Sequence, residues 1–255
     1  MQVSRVNLIK IRDGQYSNDY DYVAIEEPLE INVCDEECKT FAIIMRTPGN
    51  DLELALGFLY SEGVIDSMED VIKVEQSVDK INVILRNKNK VESRQTVVNS
   101  SCGFCGRALL YTVDILKSET TIKKDVVISL PEKLRSEQEV FNITGGLHAA
   151  GLFTPDGELR YVYEDVGRHN AVDKLVGRLL REGQLPASSY VLQVSGRIGY
   201  EIVSKAIMAG IPIISGISAP TSYAIRIAHD AGATVIGFVR GKSFNVYTHA
   251  ERVKI

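Results

Sequence analysis

The chain has 255 residues, 45% of them apolar, with 29 Lys and Arg against 33 Asp and Glu, four Cys and no Trp. A chain of this length buries a self-sufficient core without disulfide staples, and its apolar share is too high for disorder. The longest aliphatic run, Ala42–Met45, is far short of the roughly 18 residues of a membrane span. Met1–Lys10 holds no apolar stretch of signal-peptide length, so the expectation is a cytoplasmic protein with no membrane partner.

In chain order, alternating stretches at Leu8–Arg12, Val23–Val33 and Lys39–Arg46 read as strands. Thr47-Pro48-Gly49-Asn50 is a turn. Leu52, Ala55, Leu56 and Leu59 form a helical stripe over Asp51–Ser61, with Asn50 as N-cap and Gly63 as the stop. Val71–Glu75 and Lys80–Arg86 follow as strands. After a Lys/Asn-rich turn, Val91–Asn99 leads into a cysteine loop, and a helix is expected over Ala108–Leu116. The polar run Lys117–Asp125 is the best boundary. It divides the chain into a smaller mixed α+β N-terminal domain, residues 1–124, and a second domain, residues 125–255.

Past that boundary, Pro131 at a first helical position opens a helix running to Val140, and Asn142–Leu152 reads as another. Strands at Leu159–Glu164, Tyr190–Val194, Ile211–Ser215 and Thr234–Val239 alternate with helices at Asn170–Arg181, Tyr200–Met208 and Ser222–Ala231. Gly210 and Gly232 close the last two helices. Near-continuous apolar strands between helices predict an α/β fold with a parallel-rich sheet covered on both faces.

Such a sheet places its chemistry at the carboxyl ends of its strands. Those positions hold Asp165-Val166-Gly167-Arg168-His169-Asn170, Ser195-Gly196-Arg197, Ser215-Gly216-Ile217-Ser218-Ala219-Pro220-Thr221 and Arg240-Gly241-Lys242-Ser243. Each is a short glycine loop, and the first three run into helices. Backbone amides at helix N-termini, with arginine forks beside them, bind phosphates. Four such loops on one edge make a cradle of nucleotide or pyrophosphate size. Neither a dinucleotide-binding fingerprint nor a P-loop is present, so nicotinamide and ATP chemistry are not indicated.

Charge is unevenly spread. Residues 13–70 hold fifteen acidic side chains against Lys39 and Arg46, a net of −13, while residues 188–249 are net +3. An acidic front and a mildly basic back do not suit a nucleic-acid duplex. The acidic stretch is either a solvated surface or a docking face for a partner enzyme. Cys34 and Cys38 lie within it, among carboxylates that raise a thiol's pKa, and read as incidental. Cys102 and Cys105 lie in Ser100-Ser101-Cys102-Gly103-Phe104-Cys105-Gly106-Arg107, where glycines give mobility and Arg107 favours thiolate. Of the four histidines, His229 and His249 carry no expected chemistry. His148 and His169 stand near glycines, and with Cys102 and Cys105 they offer a weak zinc pattern; no metal site is assigned.

These motifs together resemble the FdhD/NarQ family of formate dehydrogenase accessory sulfurtransferases. The resemblance rests on Ser100–Gly106, Thr144-Gly145-Gly146-Leu147-His148-Ala149-Ala150, Glu164–Lys174, Ser195–Arg197, Ser215–Thr221 and Gly237–Gly241. Thr47-Pro48-Gly49 and Gly57-Phe58-Leu59 extend it into the front half. Cys34 and Cys38 are not part of the family pattern. The resemblance implies a homodimer whose C-terminal domain is a three-layer α/β/α, cytidine-deaminase-like unit. It also implies a relay of sulfur from a cysteine desulfurase to the molybdenum (or tungsten) bis-pyranopterin guanine dinucleotide, bound as substrate, before that group enters formate dehydrogenase. Guanine nucleotides would mimic the bound group. On this basis Cys102 carries a persulfide and Cys105 assists or receives the sulfur. His148, Arg168, Arg197, Ser215, Gly216 and the segment Phe238, Val239, Arg240, Gly241, Lys242, Ser243 would hold the nucleotide arms.

Three other classes compete. A zinc nucleobase deaminase needs His-x-Glu and a later Pro-Cys-x-x-Cys, whereas His148 is followed by Ala149-Ala150 and by no cysteine. A thiol–disulfide oxidoreductase would open a helix with its Cys-x-x-Cys after a first strand. A non-catalytic carrier of the dinucleotide would share the whole cradle, and only the fate of a Cys102→Ala variant separates it from a relay.

Overall fold

The computed structural model describes residues 1–35, 37–86 and 115–255, and the backbone of 96–98. Cys102, Cys105 and most of the helix expected over Ala108–Leu116 lie outside the described residues; Ile115 and Leu116 themselves are not helical.

The chain opens with a two-stranded arm, β1 (Val3–Arg12) and β2 (Gln15–Ala24), paired antiparallel from Val3↔Ala24 to Arg12↔Gln15. Asp13 and Gly14 join them at positive φ, the two-residue turn that matches strand twist. The strand expected over Val23–Val33 is therefore two: β2 ends at Ala24, and β3 (Glu27–Cys34) starts beside Pro28. β4 (Cys38–Arg46) returns antiparallel to β3, and α1 (Asp51–Ser61) follows the Thr47–Asn50 turn. Asn50 holds the N-cap position in a left-handed conformation, yet its side chain makes no capping bond. With β5 (Val71–Gln76), β6 (Lys80–Leu85) and β7 (Thr96–Val98) the first sheet has the order β5-β6-β3-β4-β7. Its core joins Leu29, Ile31, Ile44, Ile81 and Val83 to Leu54, Leu56 and Leu59 of α1.

After β8 (Ile122–Lys123), α2 spans Lys124–Ser136 and contains Pro131 in its interior. The expected start at Pro131 is thus wrong. Val127, Leu130 and Leu134, buried at helical spacing on both sides of the proline, outweigh the one hydrogen bond it removes. α3 (Glu139–Thr144) stops at Gly145, which takes φ 68°. The helix expected over Asn142–Leu152 gives way there to β9 (His148–Phe153), whose Ala149–Phe153 are all buried. β10 (Leu159–Asp165), α4 (Arg168–Arg181), β11 (Val191–Val194), α5 (Tyr200–Met208), β12 (Ile213–Gly216), α6 (Ser222–Ala231), β13 (Thr234–Arg240) and β14 (Ser243–Val246) complete the unit. β15 (Val253–Lys254) pairs with β8.

The six-stranded order is β10-β9-β11-β12-β13-β14. Only β11-β12-β13 pair parallel, so the sheet is mixed rather than parallel-rich: the tight β9–β10 and β13–β14 connections force antiparallel neighbours. One face packs its apolar residues against α4, α5 and α6, and the other against α2.

The two sheets are joined by α1 crossing α4. Gly57 and Gly177 meet there backbone to backbone; a Cβ on Gly57 would overlap the Asp173 carbonyl, and one on Gly177 the Glu53 carbonyl. Polar pairs close the seam. Lys205 Nζ reaches both Asp173 carboxylate oxygens at 2.7 and 2.9 Å, and Ser61 Oγ donates to Asp173 at 2.9 Å. Asp165 takes donors from both units: Thr47 N at 3.2 Å, Gly167 N at 2.8 Å, Asn170 Nδ2 at 2.8 Å and Lys174 Nζ at 2.7 Å. Burial pushes its carboxyl above the usual range, against the pull of Lys174 and these donors. Because all four partners donate, Asp165 stands as the carboxylate.

Candidate functional site

β10 and β11 are each antiparallel to β9, so they share a direction, and β12 and β13 continue it. Their four carboxyl ends therefore lie along one edge of the sheet, and β9 begins there with His148. The expected strand-end loops do gather at one edge, and three of them lead into α4, α5 and α6.

At one corner His148 faces Asp165 across the β9–β10 pair. Ser195 exchanges bonds with Ala149: its Oγ accepts from Ala149 N at 2.8 Å, and its N donates to Ala149 O at 3.0 Å. Gly196 is needed for close approach, since a Cβ there would come within 3.2 Å of His148 Nδ1 and 3.6 Å of Arg168 Cδ. Burial, then the charges of Arg168, His169 and Arg197, hold His148 below the ordinary histidine range. Burial and the repulsion of Arg197 likewise depress Arg168, against the attraction of Glu201. Arg168 Nε is buried and has no hydrogen-bond partner. Exposed Arg197 stands beside it. This corner gathers the cations Arg168 and Arg197 around His148, with the Glu201 carboxylate beside Arg168.

The other corner is formed by the ends of β12 and β13. Phe238 sits at φ 54°, a rare conformation for an aromatic residue, and its N–H bonds Ser218 O at 3.2 Å. The residue is 39% exposed. Arg240 Nε donates to Ile217 O at 3.0 Å, which ties the β13 tip to the loop after β12. Gly241, at φ 56°, turns the chain into β14, and Ser243 Oγ donates to Arg240 O at 3.3 Å. Lys242 is exposed. Val239, expected to touch the nucleotide, instead buries its side chain in the core beside α2 and offers only backbone. Ser215 Oγ is fully buried with no partner, as is Oε1 of its strand neighbour Gln193; Gly216 packs under Ile198.

Three strand spacings, about 14 Å, separate β9 from β13, so the two corners are a nucleotide's length apart. Sequence reasoning passed over Glu201. Its Oε2 lies 3.7 Å from Nε2 of buried His169. Burial raises the Glu201 carboxyl, but the facing His169, its own backbone N–H and the charge of Arg168 outweigh burial and lower it. Its one signal was its place in the first turn of a strand-end helix.

β7 runs parallel to β4, with Val98 beside Ile44. Both strands head toward Thr47, whose backbone is bonded to Asp165 beside the arginine corner. Cys34 and Cys38 form a disulfide at the opposite end of β4, some eight residues or about 26 Å away. His229 and His249 stack with centroids 5.4 Å apart at the C-terminal end of α6, on the far edge of the sheet. Among the described residues no three His, Cys, Asp or Glu side chains are grouped as a metal would require. No described helix is long and apolar enough to cross a membrane.

The model of the FdhD/NarQ family matches residues 24–254. The chain belongs to that family. Among its relatives, the sulfur carrier protein FdhD of Sulfurisphaera tokodaii is 64% identical over 254 residues, covering 99% of this chain and 100% of that one. The FdhD of Saccharolobus solfataricus is 61% identical, covering 99% of each chain, and that of Streptomyces coelicolor 44%, covering 98% of this chain and 95% of the other. A crystal structure of a candidate formate dehydrogenase accessory protein from Desulfotalea psychrophila superposes with a TM-score of 0.82 at 25% identity, covering both chains fully. The FdhD/NarQ match includes both corners of the strand-end edge and leaves the β1–β2 arm almost wholly outside.

Proposed function

We propose that the protein is a sulfurtransferase of the carrier type. It receives sulfur from a cysteine desulfurase as a persulfide on Cys102 and passes it to the molybdenum or tungsten bis-pyranopterin guanine dinucleotide destined for formate dehydrogenase. The observation that carries this reading is the strand-end edge: two arginines at one corner, one with a buried Nε that has no hydrogen-bond partner, a strained exposed aromatic and a glycine turn at the other, and three helix N-termini along it. Pyrophosphates suit the arginines and the helix ends, and a guanine suits the face of Phe238. The direction of β4 and β7 adds support, because β7 points toward this edge and ends four residues before Cys102 in the sequence. The names carried by the relatives agree with sulfur carriage. Helices on both faces of the six-stranded sheet support reading that unit as a cytidine-deaminase-like α/β/α sandwich.

In the loading step, the Cys102 thiolate attacks the outer sulfur of the donor's persulfide. The new S–S bond forms on Cys102 as the donor's breaks, and the donor thiolate leaves with the electron pair. In the release step, the Cys105 thiolate attacks Cys102 Sγ. A Cys102–Cys105 disulfide forms and hydrosulfide departs to the bound substrate; a cellular dithiol then reduces the disulfide.

Complementation of a cell lacking its own family member tests the reading. Cys102→Ala should bind GDP as the wild type does and yet leave formate dehydrogenase inactive. A Cys102→Ala protein that restores full activity would instead establish a carrier of the dinucleotide without sulfur chemistry.

A further inference from the structure

We propose that Glu201 is a specificity-determining residue of the strand-end edge: its carboxylate favours a pyrophosphate esterified at both ends over one that ends in a free phosphate. The inference rests on the nucleotide reading of that edge and deepens it, by naming the form of pyrophosphate that the arginine corner selects.

α4 and α5 begin side by side, with Arg168 and His169 opening the one and Glu201 in the first turn of the other. The Glu201 side chain folds back over the start of its own helix. Gly199 makes room for it, since a Cβ there would lie 2.6 Å from Glu201 Oε2. The same oxygen faces His169 Nε2 at 3.7 Å, and that nitrogen is buried with no hydrogen-bond partner. The Glu201 side chain is 20% exposed, so its charge is neither fully screened by water nor sealed in the core. Asp165, the other carboxylate of this corner, is placed differently. It is fully buried, and Lys174 Nζ matches its charge at 2.7 Å. Glu201 instead acts on the arginines: of the charges that bear on Arg168, Arg197 repels it and Glu201 attracts it.

The corner therefore sets two guanidinium groups against one carboxylate that an arriving anion must approach. In a pyrophosphate diester each phosphorus keeps one ionised oxygen, and two guanidinium groups match the pair. A free terminal phosphate ionises a second time, with a pKa of about 6, and brings an extra negative charge at pH 7.5. That extra charge meets Glu201 as a like charge, and like-charge juxtaposition is how a binding site rejects the wrong partner. The two halves of a dinucleotide are joined through a diester, whereas GDP and GTP end in free phosphates. Glu201 thus keeps the corner from acting as a general trap for polyphosphates. An acid in the first turn of a helix also stabilises that helix through its dipole. Such a role predicts no difference between two ligands that share a guanosine and a pyrophosphate.

Titration calorimetry free of divalent cations tests the proposal at pH 7.5, with GDP and with its β-methyl ester, in which one oxygen of the terminal phosphate is capped. The ratio of the ester's Kd to that of GDP should be at least about threefold higher in Glu201→Gln and Glu201→Ala than in the wild type, a modest share of what one unit charge exerts on another near a protein surface. Gln keeps the shape of the side chain and Ala removes it, so a shift common to both reports the charge. An unchanged ratio in both variants overturns the role of Glu201 and leaves the nucleotide site standing. A shift confined to Glu201→Ala assigns the effect to shape and overturns the role as well. A wild type that binds neither compound at millimolar concentration overturns the nucleotide reading of the edge, and this inference with it.

Discussion

Arg46 closes β4 and Arg168 opens α4, on the two sides of the seam between the sheets. Arg46 is 1% exposed and makes four hydrogen bonds. Its Nε and Nη2 grip both oxygens of Asp51 at 3.0 and 3.1 Å, while Nη1 and Nη2 also donate to Glu27 O and Val78 O at 3.3 and 3.1 Å. Arg168 keeps a buried Nε with no hydrogen-bond partner, and its charged neighbours are Arg197, which repels it, and Glu201, which attracts it. A buried guanidinium with four of its five donors used holds a fold together. One with a buried Nε left unpaired beside a second arginine is placed for an anion that arrives from outside. The seam and the strand-end edge are thus built from the same residue type for opposite ends.

The sharpest way to break the comparison is at the buried, paired arginine. Arg46→Met leaves Asp51 buried without its cation and should cost about 4 kcal/mol. It would appear as a lowered urea midpoint, with GDP affinity unchanged in the molecules still folded. Gly57→Ala strikes the same seam by steric means and should cost about 3 kcal/mol, since helix backbones in contact must separate. A midpoint like the wild type's in either variant would show that the seam is not where stability resides.

Arg168→Ala should do the reverse. GDP affinity should fall at least tenfold, the scale of about 1.5–3 kcal/mol for a hydrogen bond to a charged group, while the urea midpoint moves by less than about 1 kcal/mol. Loss of stability without loss of binding would reassign Arg168 to the seam. The smallest effect concerns pH. Burial, then the charges of Arg168, His169 and Arg197, hold His148 low in the free protein, and a bound pyrophosphate opposes that repulsion and raises its pKa. Binding then takes up a proton, so GDP affinity should rise as the pH falls from 8 to 6. Calorimetry on the wild type and on His148→Gln checks this, the variant showing a flatter dependence.

Where apolar spacing and glycine stops agreed, the fold was legible: Tyr200–Met208 and Ser222–Ala231 are helices with those bounds, followed by Gly210 and Gly232 at positive φ. Legibility failed where one strong local signal overrode spacing. Pro131 drew attention from the Val127, Leu130 and Leu134 stripe that runs past it. Ala149–Phe153 is buried on both faces, so it shows no alternation to separate strand from helix. Asp13–Gly14 held the turn signature of the arm and was read through. Glycines and arginines at the strand ends were visible as a set, because the α/β pattern says where such loops gather. Which arginine is satisfied is not a property of sequence. Arg46 and Arg168 differ only in what the folded chain brings to them, and Glu201 joins the edge only because α5 starts there.

The most direct test of sulfur carriage is intact-protein mass spectrometry after incubation with a cysteine desulfurase and L-cysteine. A gain of about 32 Da, one sulfur atom as a persulfide, is expected on the wild type and on Cys34→Ser/Cys38→Ser, and its loss on Cys102→Ala. No gain on the wild type, or a gain that survives Cys102→Ala, would contradict a persulfide carried on Cys102.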